Sequence, residues 1–257
     1  MSKRINICGM RVDMVQIPDC LVLMEDWITH KSYGHDIAVV NAYDAVSCKN
    51  DFMVKDAVNN SSLAVPDGIS LILLARLYGF PLKKRVYGPD LMLEFLKIAE
   101  KKGYSSFFYG STDIVQKKLI ANLKSQFPNL KVAGCYAPPF RALTNKEEEK
   151  IVTEINKSSP DILWVGLGCP KQQLWMYRYK DELKVPVLVG VGAAFDFFAK
   201  TKPQAPPWIR DNGFEWLFRL LTEPKRLWKR YLCDGSFFFY LALKELILQK
   251  VNNRRRE

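Results

Sequence analysis

Several short polar turns that directly follow apolar runs carry the residue types best suited to chemistry. The turn at residues 65–68 (VPDG) places the carboxylate of Asp67 between a proline, which restricts the backbone, and a glycine, which permits close approach. The run at residues 163–173 (LWVGLGCPKQQ) passes through Gly168 into a polar helix that we expect to begin at Pro170. Backbone N–H groups at such a helix start bind anions. Each turn also has a simpler interpretation: Asp67 as the N-cap of a helix near Ile69, and the second turn as an ordinary strand-to-helix connection.

Three more turns add a polar amide, an arginine and a second pair of glycines. Asn41 ends an apolar run, Arg85 precedes a turn (GPD, residues 88–90) that opens a helix, and residues 190–196 (GVGAAFD) contain Gly192 and Asp196. Arginine and backbone amides together suit phosphate, which they can neutralise without a metal ion. The alternatives are structural, because Asn41 could cap the following helix, Asp196 could cap a helix or pair with a lysine, and Arg85 could be an exposed charge.

The sequence lacks the common cofactor and catalytic motifs. Neither glycine pair completes G-x-G-x-x-G, because Lys171 and Phe195 occupy the third glycine positions. The P-loop, the G-x-S-x-G elbow, H-E-x-x-H and D-x-D are also missing, and the six cysteines have no metal-ligand spacing. We therefore predict no cofactor, no metal site and a reducing compartment.

The elements that position these turns alternate between short apolar runs and amphipathic ones from Arg4 to about Lys200. This alternation predicts an α/β, Rossmann-like fold with a largely parallel sheet and helices on both faces. In such a sheet ligands bind at the carboxyl ends of the strands, where the polar turns lie. One helix is expected to end at Gly103, and Thr144 with Glu147 forms a capping box for another. The candidate strands are residues 5–10, 36–41, 62–65, 105–109, 130–135, 161–167 and 185–191.

The last segment changes character, so we predict a core at residues 1–200 and a basic, aromatic-rich helical appendage at residues 201–257. The chain has a formal net charge of +11, and residues 219–257 contain ten Lys or Arg against four Asp or Glu, a net of +6. Residues 237–248 (FFFYLALKELIL) form an apolar run of about three helical turns, too short to span a bilayer. This pattern is typical of a helix that associates with an anionic membrane surface, and it also fits a helical hairpin packed on its own domain or on a second subunit.

Taken in order, these blocks resemble the WecG/TagA/CpsF family of bacterial glycosyltransferases over nearly the whole chain. The resemblance implies transfer of a sugar from a UDP-sugar to a membrane-held, polyprenyl-diphosphate-linked saccharide in polysaccharide or cell-wall polymer biosynthesis, with inversion and without a metal. It also implies a cytoplasmic protein that is peripheral on the inner membrane face, and it allows a homo-oligomer because members of the family form dimers. The matching blocks are VPDG (65–68), RVYGPDLM (85–92), PDILWVGLGCPKQQ (160–173), GVGAAFD (190–196), AP (205–206), GFEWLFRL (213–220), EPKR (223–226) and RY (230–231).

The resemblance also assigns roles to individual residues. Asp67 falls on the family's proposed general base, and a carboxylate on a rigid turn is well placed to take the proton of an attacking hydroxyl. The resemblance implies that three C-terminal arginines, Arg219, Arg226 and Arg230, bind the acceptor diphosphate, because planar guanidinium groups suit phosphate. The residues expected at the donor and its sugar are Asn41, Arg85, Gly88, Asp90, Gly168, Pro170, Lys171, Gln172, Gly192 and Asp196.

Two points bear on how far this assignment reaches. The chain departs from the family pattern at Tyr87, Pro89, Gln173 and Gln204, positions that family analogy places near the sugars. An alternative function class is a non-catalytic module that binds a nucleotide sugar or nucleic acid through the basic tail. The two classes differ in one requirement, because the enzyme needs Asp67 and the binding module does not. For the enzyme we expect no nucleic-acid partner.

Overall fold

The chain begins with a short antiparallel hairpin beside the main sheet. In the computed structural model, which describes the backbone of residues 3–254 and the side chains of residues 3–248, β1 (Arg4–Ile7) pairs with β2 (Met10–Asp13). Cys8 and Gly9 have φ angles of 54° and 86°, as a two-residue hairpin turn requires. The prediction of one continuous strand over residues 5–10 is therefore wrong. The Asp13 carboxylate accepts a hydrogen bond from the backbone N–H of Ala64 (2.8 Å), which attaches the hairpin to the main sheet.

A six-stranded, entirely parallel sheet forms the centre of the protein, in the order β4-β3-β8-β7-β5-β6 once the strands are numbered along the chain. The predicted parallel α/β fold is confirmed, and so are the six other candidate strands. Five of the six strands consist almost wholly of buried residues, as expected where both faces of a parallel sheet are covered. The strands are β3 (His35–Val40), β4 (Leu63–Pro66), β5 (Ser105–Gly110), β6 (Lys131–Tyr136), β7 (Ile162–Gly166) and β8 (Val187–Gly190).

Nine helices precede, connect or follow these strands within the described part of residues 1–200. The expected helix end at Gly103 is confirmed by its left-handed conformation (φ 76°), and the Thr144–Glu147 capping box is present. Pro170 is not the first helical residue, because it occupies the N-cap position, after a cis Cys169–Pro170 bond. The helices are α1 (Ile17–Thr29), α2 (Ala42–Asn50), α3 (Phe52–Asn59), α4 (Ile69–Leu77), α5 (Gly88–Lys102), α6 (Asp113–Gln126), α7 (Asn145–Ser158), α8 (Lys171–Tyr179) and α9 (Ala194–Phe198).

Successive strand residues point to opposite faces of the sheet and build two separate cores. Val39 and Trp164 belong to the core on the side of α1, α5, α6 and α9. Their neighbours along the strands, Val40 and Val165, face α2, α3, α4, α7 and α8 on the other side. Helices therefore cover both faces of the sheet. The loops lie at the two ends of the strands.

The C-terminal segment is a chain of helices that folds back onto the core. Phe238 and Ala242 of the last helix are buried in the same cluster as Met10 of the hairpin and Val46 of α2. The Glu245 carboxylate accepts hydrogen bonds from Cys8 N–H (2.6 Å) and Tyr78 O–H (3.0 Å). Packing on the protein's own core, one of the two alternatives for this segment, is thus confirmed for one face. The elements are α10 (Pro207–Asp211), α11 (Glu215–Thr222), α12 (Pro224–Trp228), a π-helical turn (Lys229–Asp234) and α13 (Gly235–Arg254).

The opposite face of the same segment presents large apolar side chains to solvent. Leu221 of α11 is 73% exposed, and Phe239 and Leu243 of α13 are 74% and 59% exposed. None of the helices in the described residues is both long enough and apolar enough to cross a membrane. The last helix, α13, therefore has a packed side and an open apolar side.

Candidate active site

Four of the predicted polar turns follow strands that are neighbours in the sheet. Asp67 follows β4, Asn41 follows β3, Gly192 follows β8 and Gly168 follows β7, in the spatial order of those strands. Backbone hydrogen bonds continue past the strand ends, from Asp67 N–H to Val40 O (2.8 Å) and from Val191 N–H to Val165 O (2.9 Å). The turns consequently form one continuous site at the carboxyl edge of the sheet.

The Asp67 carboxyl is held in an environment that favours its protonated form. Its Oδ1 is buried and accepts no hydrogen bond from any described residue, and the nearest cation, Nη1 of Arg85, is 3.5 Å away. Burial, with a smaller contribution from the charge of Glu215, raises the pKa of Asp67 to about 7, although Arg85 and Arg219 act to lower it. Asp67 is not the N-cap of α4, because Gly68 occupies that position. The Asp67 carboxylate therefore does not serve as a helix cap.

Arg85 is enclosed at the edge of this site, so its interpretation as an exposed surface charge is wrong. Only 18% of its side chain is exposed. Its Nη1 donates to the backbone carbonyl of Asp67 (3.1 Å), and its Nη2 donates to the Glu215 carboxylate of α11. The loop that carries it is fixed to the neighbouring turn by a hydrogen bond from Val86 N–H to Pro66 O (2.7 Å).

Glu215 and Tyr87 are parts of the site that sequence reasoning did not select. The Tyr87 O–H donates to Glu215 (3.1 Å), and the guanidinium of Arg85 lies 4.3 Å from the centre of the Tyr87 ring. Gln204, another departure from the family pattern, donates its amide N–H to the Tyr87 oxygen (3.3 Å). Glu215 lies inside the GFEWLFRL block, and its place in that block is the only sequence signal that could have marked it as a site residue. The separation of 130 residues between Arg85 and Glu215 hid the pair.

The start of α5 closes one side of the site through small and charged residues. Gly88 is buried against the β8 turn, where an added Cβ would lie 3.5 Å from the Val191 carbonyl oxygen. Asp90, predicted to bind substrate, forms an ion pair with Arg210 of α10 (3.0 Å) and is about one third exposed. Asp90 thus connects α5 to the C-terminal segment in addition to any contact with a ligand.

Gln172 is buried and joins the two glycine turns to each other. Its Oε1 accepts hydrogen bonds from the backbone N–H of Gly168 (3.2 Å) and of Gly192 (3.0 Å). Both glycines have positive φ (79° and 53°), a conformation that other residues rarely adopt. The two amides expected to face a phosphate are therefore occupied by Gln172 in this structure. Lys171, by contrast, is exposed at the first residue of α8.

Asn41 combines a structural contact with a contact to the C-terminal segment. Its Oδ1 caps α2 by accepting from Tyr43 N–H (2.9 Å), which confirms the capping interpretation, and it also faces Nη2 of Arg230 (3.4 Å). The Arg230 guanidinium lies 4.4 Å from the centre of the Tyr43 ring. Behind it, the buried Asp44 carboxylate accepts from the Gln173 amide (3.0 Å), and burial raises the pKa of Asp44.

A basic cavity of about 510 Å³ adjoins this cluster. Arg226, Lys229 and Arg230 line it from the C-terminal segment, opposite Cys169 and Pro170 of the β7 turn. Arg226 is half exposed and forms an ion pair with Glu223 (2.6 Å). Asp51 and Asp234 also line the cavity, so it has three cations against two carboxylates, and it is partly apolar and contiguous with the β7 turn.

Comparison with known proteins agrees with this arrangement. The model of the Glycosyl transferase WecG/TagA/CpsF family matches residues 5–252. The chain belongs to this family. It is 31% identical over 222 residues to the N-acetylglucosaminyldiphosphoundecaprenol N-acetyl-beta-D-mannosaminyltransferase of Bacillus subtilis (strain 168), covering 86% of this chain and 84% of that protein.

Two further relatives carry the same name. The enzyme of Bacillus spizizenii is 33% identical over 190 residues, which are 74% of this chain and 67% of the relative. The enzyme of Staphylococcus aureus (strain NCTC 8325 / PS 47) is 31% identical over 172 residues, which are 67% of this chain and 66% of the relative. The chain is therefore a glycosyltransferase, which decides against the non-catalytic alternative.

In this glycosyltransferase the predicted arginines do not converge on one point. Arg219 of α11 lies over the Phe197 ring (6.0 Å), and its charge acts on Asp67, whereas Arg226 and Arg230 face the basic cavity. Asp196 pairs with Lys202 (3.8 Å) and accepts from the Thr201 hydroxyl (3.3 Å), as its structural interpretation predicted. Among the described residues no three His, Cys, Asp or Glu side chains are grouped as metal ligands. A reaction without a metal stays a prediction.

Proposed function

We propose that this glycosyltransferase moves a sugar from a UDP-sugar to a hydroxyl of a polyprenyl-diphosphate-linked saccharide, with inversion and without a metal, in polysaccharide or cell-wall polymer biosynthesis. The names of the relatives support a lipid-linked diphosphate acceptor and make N-acetylmannosamine the first donor sugar to test. The observation that carries the reaction is the Asp67 carboxyl, buried at the strand ends with one oxygen that accepts no hydrogen bond from the described residues.

Asp67 acts as the general base. An acceptor hydroxyl must lose its proton as its oxygen attacks the anomeric carbon, and the bond from that carbon to the UDP oxygen breaks in the same displacement. A base with a pKa near the working pH combines a large deprotonated fraction with a strong affinity for the proton. The pKa of Asp67, about 7, meets this condition. Attack from the face opposite the leaving group inverts the anomeric configuration.

Cations at the strand ends stabilise the charge that develops on UDP as it leaves. Lys171 lies at the positive end of α8, and Arg219 reaches the Asp67 side of the site from α11. Gln172 acts indirectly, because it fixes the Gly168 and Gly192 turns that flank the donor. Rigid turns keep the anomeric carbon in line with the attacking hydroxyl.

The basic cavity takes the acceptor diphosphate. Arg226, Lys229 and Arg230 supply positive charge there, and Arg230 also contacts Asn41, which lies beside the Asp67 turn. An added Cβ at Gly68 would lie 3.4 Å from the Asn41 Cβ, so the two turns are in direct contact. A diphosphate in the cavity would therefore be held one turn away from the catalytic carboxyl.

The exposed apolar side of the C-terminal segment binds the membrane that carries the acceptor. Leu221, Trp228 and Phe239 are at least half exposed, and Lys225 and Lys244 lie in the helices that carry Trp228 and Phe239. Apolar side chains beside cations suit an interface with anionic lipid. We infer that the enzyme is peripheral on the inner face of the membrane, either as a monomer or as a homo-oligomer.

The test is transfer from UDP-N-acetylmannosamine to a diphosphate-linked N-acetylglucosamine lipid by the full-length protein and by Asp67→Asn. We expect the substitution to lower kcat by about 10²- to 10⁴-fold, the contribution of general base catalysis, while the donor still binds. Asp26→Asn, an exposed carboxylate on α1, is the matched control and should retain full activity. Undiminished transfer by Asp67→Asn would remove Asp67 from the mechanism, and no transfer by the wild type with any UDP-sugar would remove the function.

A further inference from the structure

The Arg85 guanidinium is shared between two carboxylates, and the sharing is unequal. Its Nη2 donates a close hydrogen bond to Glu215, while its Nη1 stays 3.5 Å from the Asp67 carboxylate and donates instead to the Asp67 backbone carbonyl (3.1 Å). A guanidinium and a carboxylate bind most strongly when two parallel N–H groups meet both oxygens. That geometry is not formed with Asp67. The strongest available partner of the catalytic carboxyl is thus held by another residue.

Glu215 is itself held firmly in the position where it competes for Arg85. It is buried, with 7% of its surface exposed, and its second oxygen accepts from the Tyr87 O–H (3.1 Å). Gln204 donates to the same tyrosine oxygen (3.3 Å), and the Tyr87 ring stacks on Arg85. A carboxylate supported on both oxygens cannot move away without breaking this network. Glu215 is also the first residue of α11, so its position depends on the C-terminal segment.

We propose that Glu215 is a positioning residue that keeps Arg85 from closing on Asp67, so that the docked C-terminal segment maintains the catalytic carboxyl as an effective base. The proposal rests on the function proposed above. Without Glu215 the Arg85 fork is free to turn toward Asp67 and to pair with both of its oxygens. A carboxylate paired in that way binds a proton weakly and is a poor base.

The charges around Asp67 give the direction of the effect. Arg85 faces it from the loop before α5, Glu215 and Arg219 face it from α11, and Asp44 faces it from α2. Glu215 and Asp44 favour the protonated form of Asp67, and the two arginines favour the charged form. Neutralising Glu215 removes one of the two like charges and releases one arginine at the same time. Both consequences shift the titration of Asp67 toward lower pH.

The experiment compares the pH dependence of kcat/KM for the wild type, Glu215→Gln and Glu215→Asp. The acid limb of this profile reports the essential base of the free enzyme. For Glu215→Gln we expect the limb to move down by about one pH unit, the smaller end of the range for a nearby charge, together with a lower plateau. Glu215→Asp keeps the charge and should keep the limb within a few tenths of a unit of the wild type. Glu94→Gln makes the same change in an exposed carboxylate paired with Lys97 and should leave the limb in place.

Two results for the Glu215 variants would overturn the proposal. A loss of activity in Glu215→Gln with an unmoved limb would overturn the proposal, because a purely structural role lowers the plateau alone. A limb that moves equally in Glu215→Asp would overturn it as well. If Glu215→Gln does not fold, Tyr87→Phe removes one support of the Glu215 carboxylate, and the proposal then requires a smaller downward shift of the limb. Failure of the proposed function would be seen separately, as absence of transfer by the wild type or undiminished transfer by Asp67→Asn.

Discussion

Replacing Gln172 by methionine would test whether the two glycine turns must be held together for the donor to bind. Methionine has a similar volume and flexibility, but it removes the oxygen that accepts from Gly168 N–H (3.2 Å) and Gly192 N–H (3.0 Å). A buried N–H left without an acceptor costs about 1–3 kcal/mol. Both glycines are partly exposed, so water can replace part of what is lost. We therefore expect the free energy of unfolding to fall by about 1–3 kcal/mol in total.

The effect on function should exceed the effect on stability. Once released, the turns can shift by a fraction of an ångström, and misplacement of about 1 Å can cost about 100-fold in rate. We expect kcat/KM for the UDP-sugar to fall between about 10- and 100-fold, mainly through a higher KM. Urea unfolding measures the stability, and initial rates at several donor concentrations measure the kinetic effect.

Gln116 provides a matched control, because it is also a buried glutamine that bridges backbone groups. Its amide donates to the carbonyls of Phe108 (3.2 Å) and Gly110 (2.7 Å) at the end of β5, and it bonds to neither Gly168 nor Gly192. Gln116→Met should lose a similar amount of stability and retain its donor KM. If the two variants lost equal stability and Gln172→Met also kept the wild-type KM, the bracing role of Gln172 in donor binding would be refuted.

Two further predictions concern stability and membrane binding. The raised pKa of Asp67 means that folding disfavours its charged form. The contribution of the protonated carboxyl to the free energy of unfolding is therefore fully present below about pH 4 and is lost as the pH rises through about 7. Asp67→Asn should therefore be more stable than the wild type at pH 8, by up to about 4 kcal/mol in urea unfolding, and should gain much less at pH 4. An equal gain at both pH values would contradict the burial argument. Leu221→Glu should weaken sedimentation with anionic vesicles without changing the melting temperature. The control Ile114→Glu, at a position 68% exposed on α6, should bind the vesicles as the wild type does. Equal binding by both variants would count against a membrane contact at Leu221.

Much of the site could be predicted from the sequence because it depends on local turns at strand ends. Apolar runs predicted the strands, and in a parallel sheet all strand ends that precede helices lie along one edge. The polar residue that follows each run is then near the others wherever its strand lies. This is why Asp67, Asn41, Gly168 and Gly192 come together as expected.

The contacts that connect the core to the C-terminal segment could not be predicted in this way. Arg85 and Glu215 are separated by 130 residues, and nothing in either local pattern indicates the other. The same holds for Asn41 with Arg230, which are 189 residues apart. The orientation of Gln172 depends on the crossover that makes β7 and β8 neighbours. The N-terminal hairpin was not predicted because its turn residues, Cys8 and Gly9, do not interrupt the run with charged or strongly polar side chains.

The site is divided between the core and the C-terminal segment, and this division couples acceptor binding to the environment of Asp67. The turns after β7 and β8 belong wholly to the core, and Gln172 braces them without help from the C-terminal segment. Arg219, Glu215 and the cations of the basic cavity all belong to that segment. The same segment therefore carries both the cations proposed for the acceptor diphosphate and the glutamate that holds Arg85, so a change that undocks it should weaken acceptor binding and the function of Asp67 as a base together.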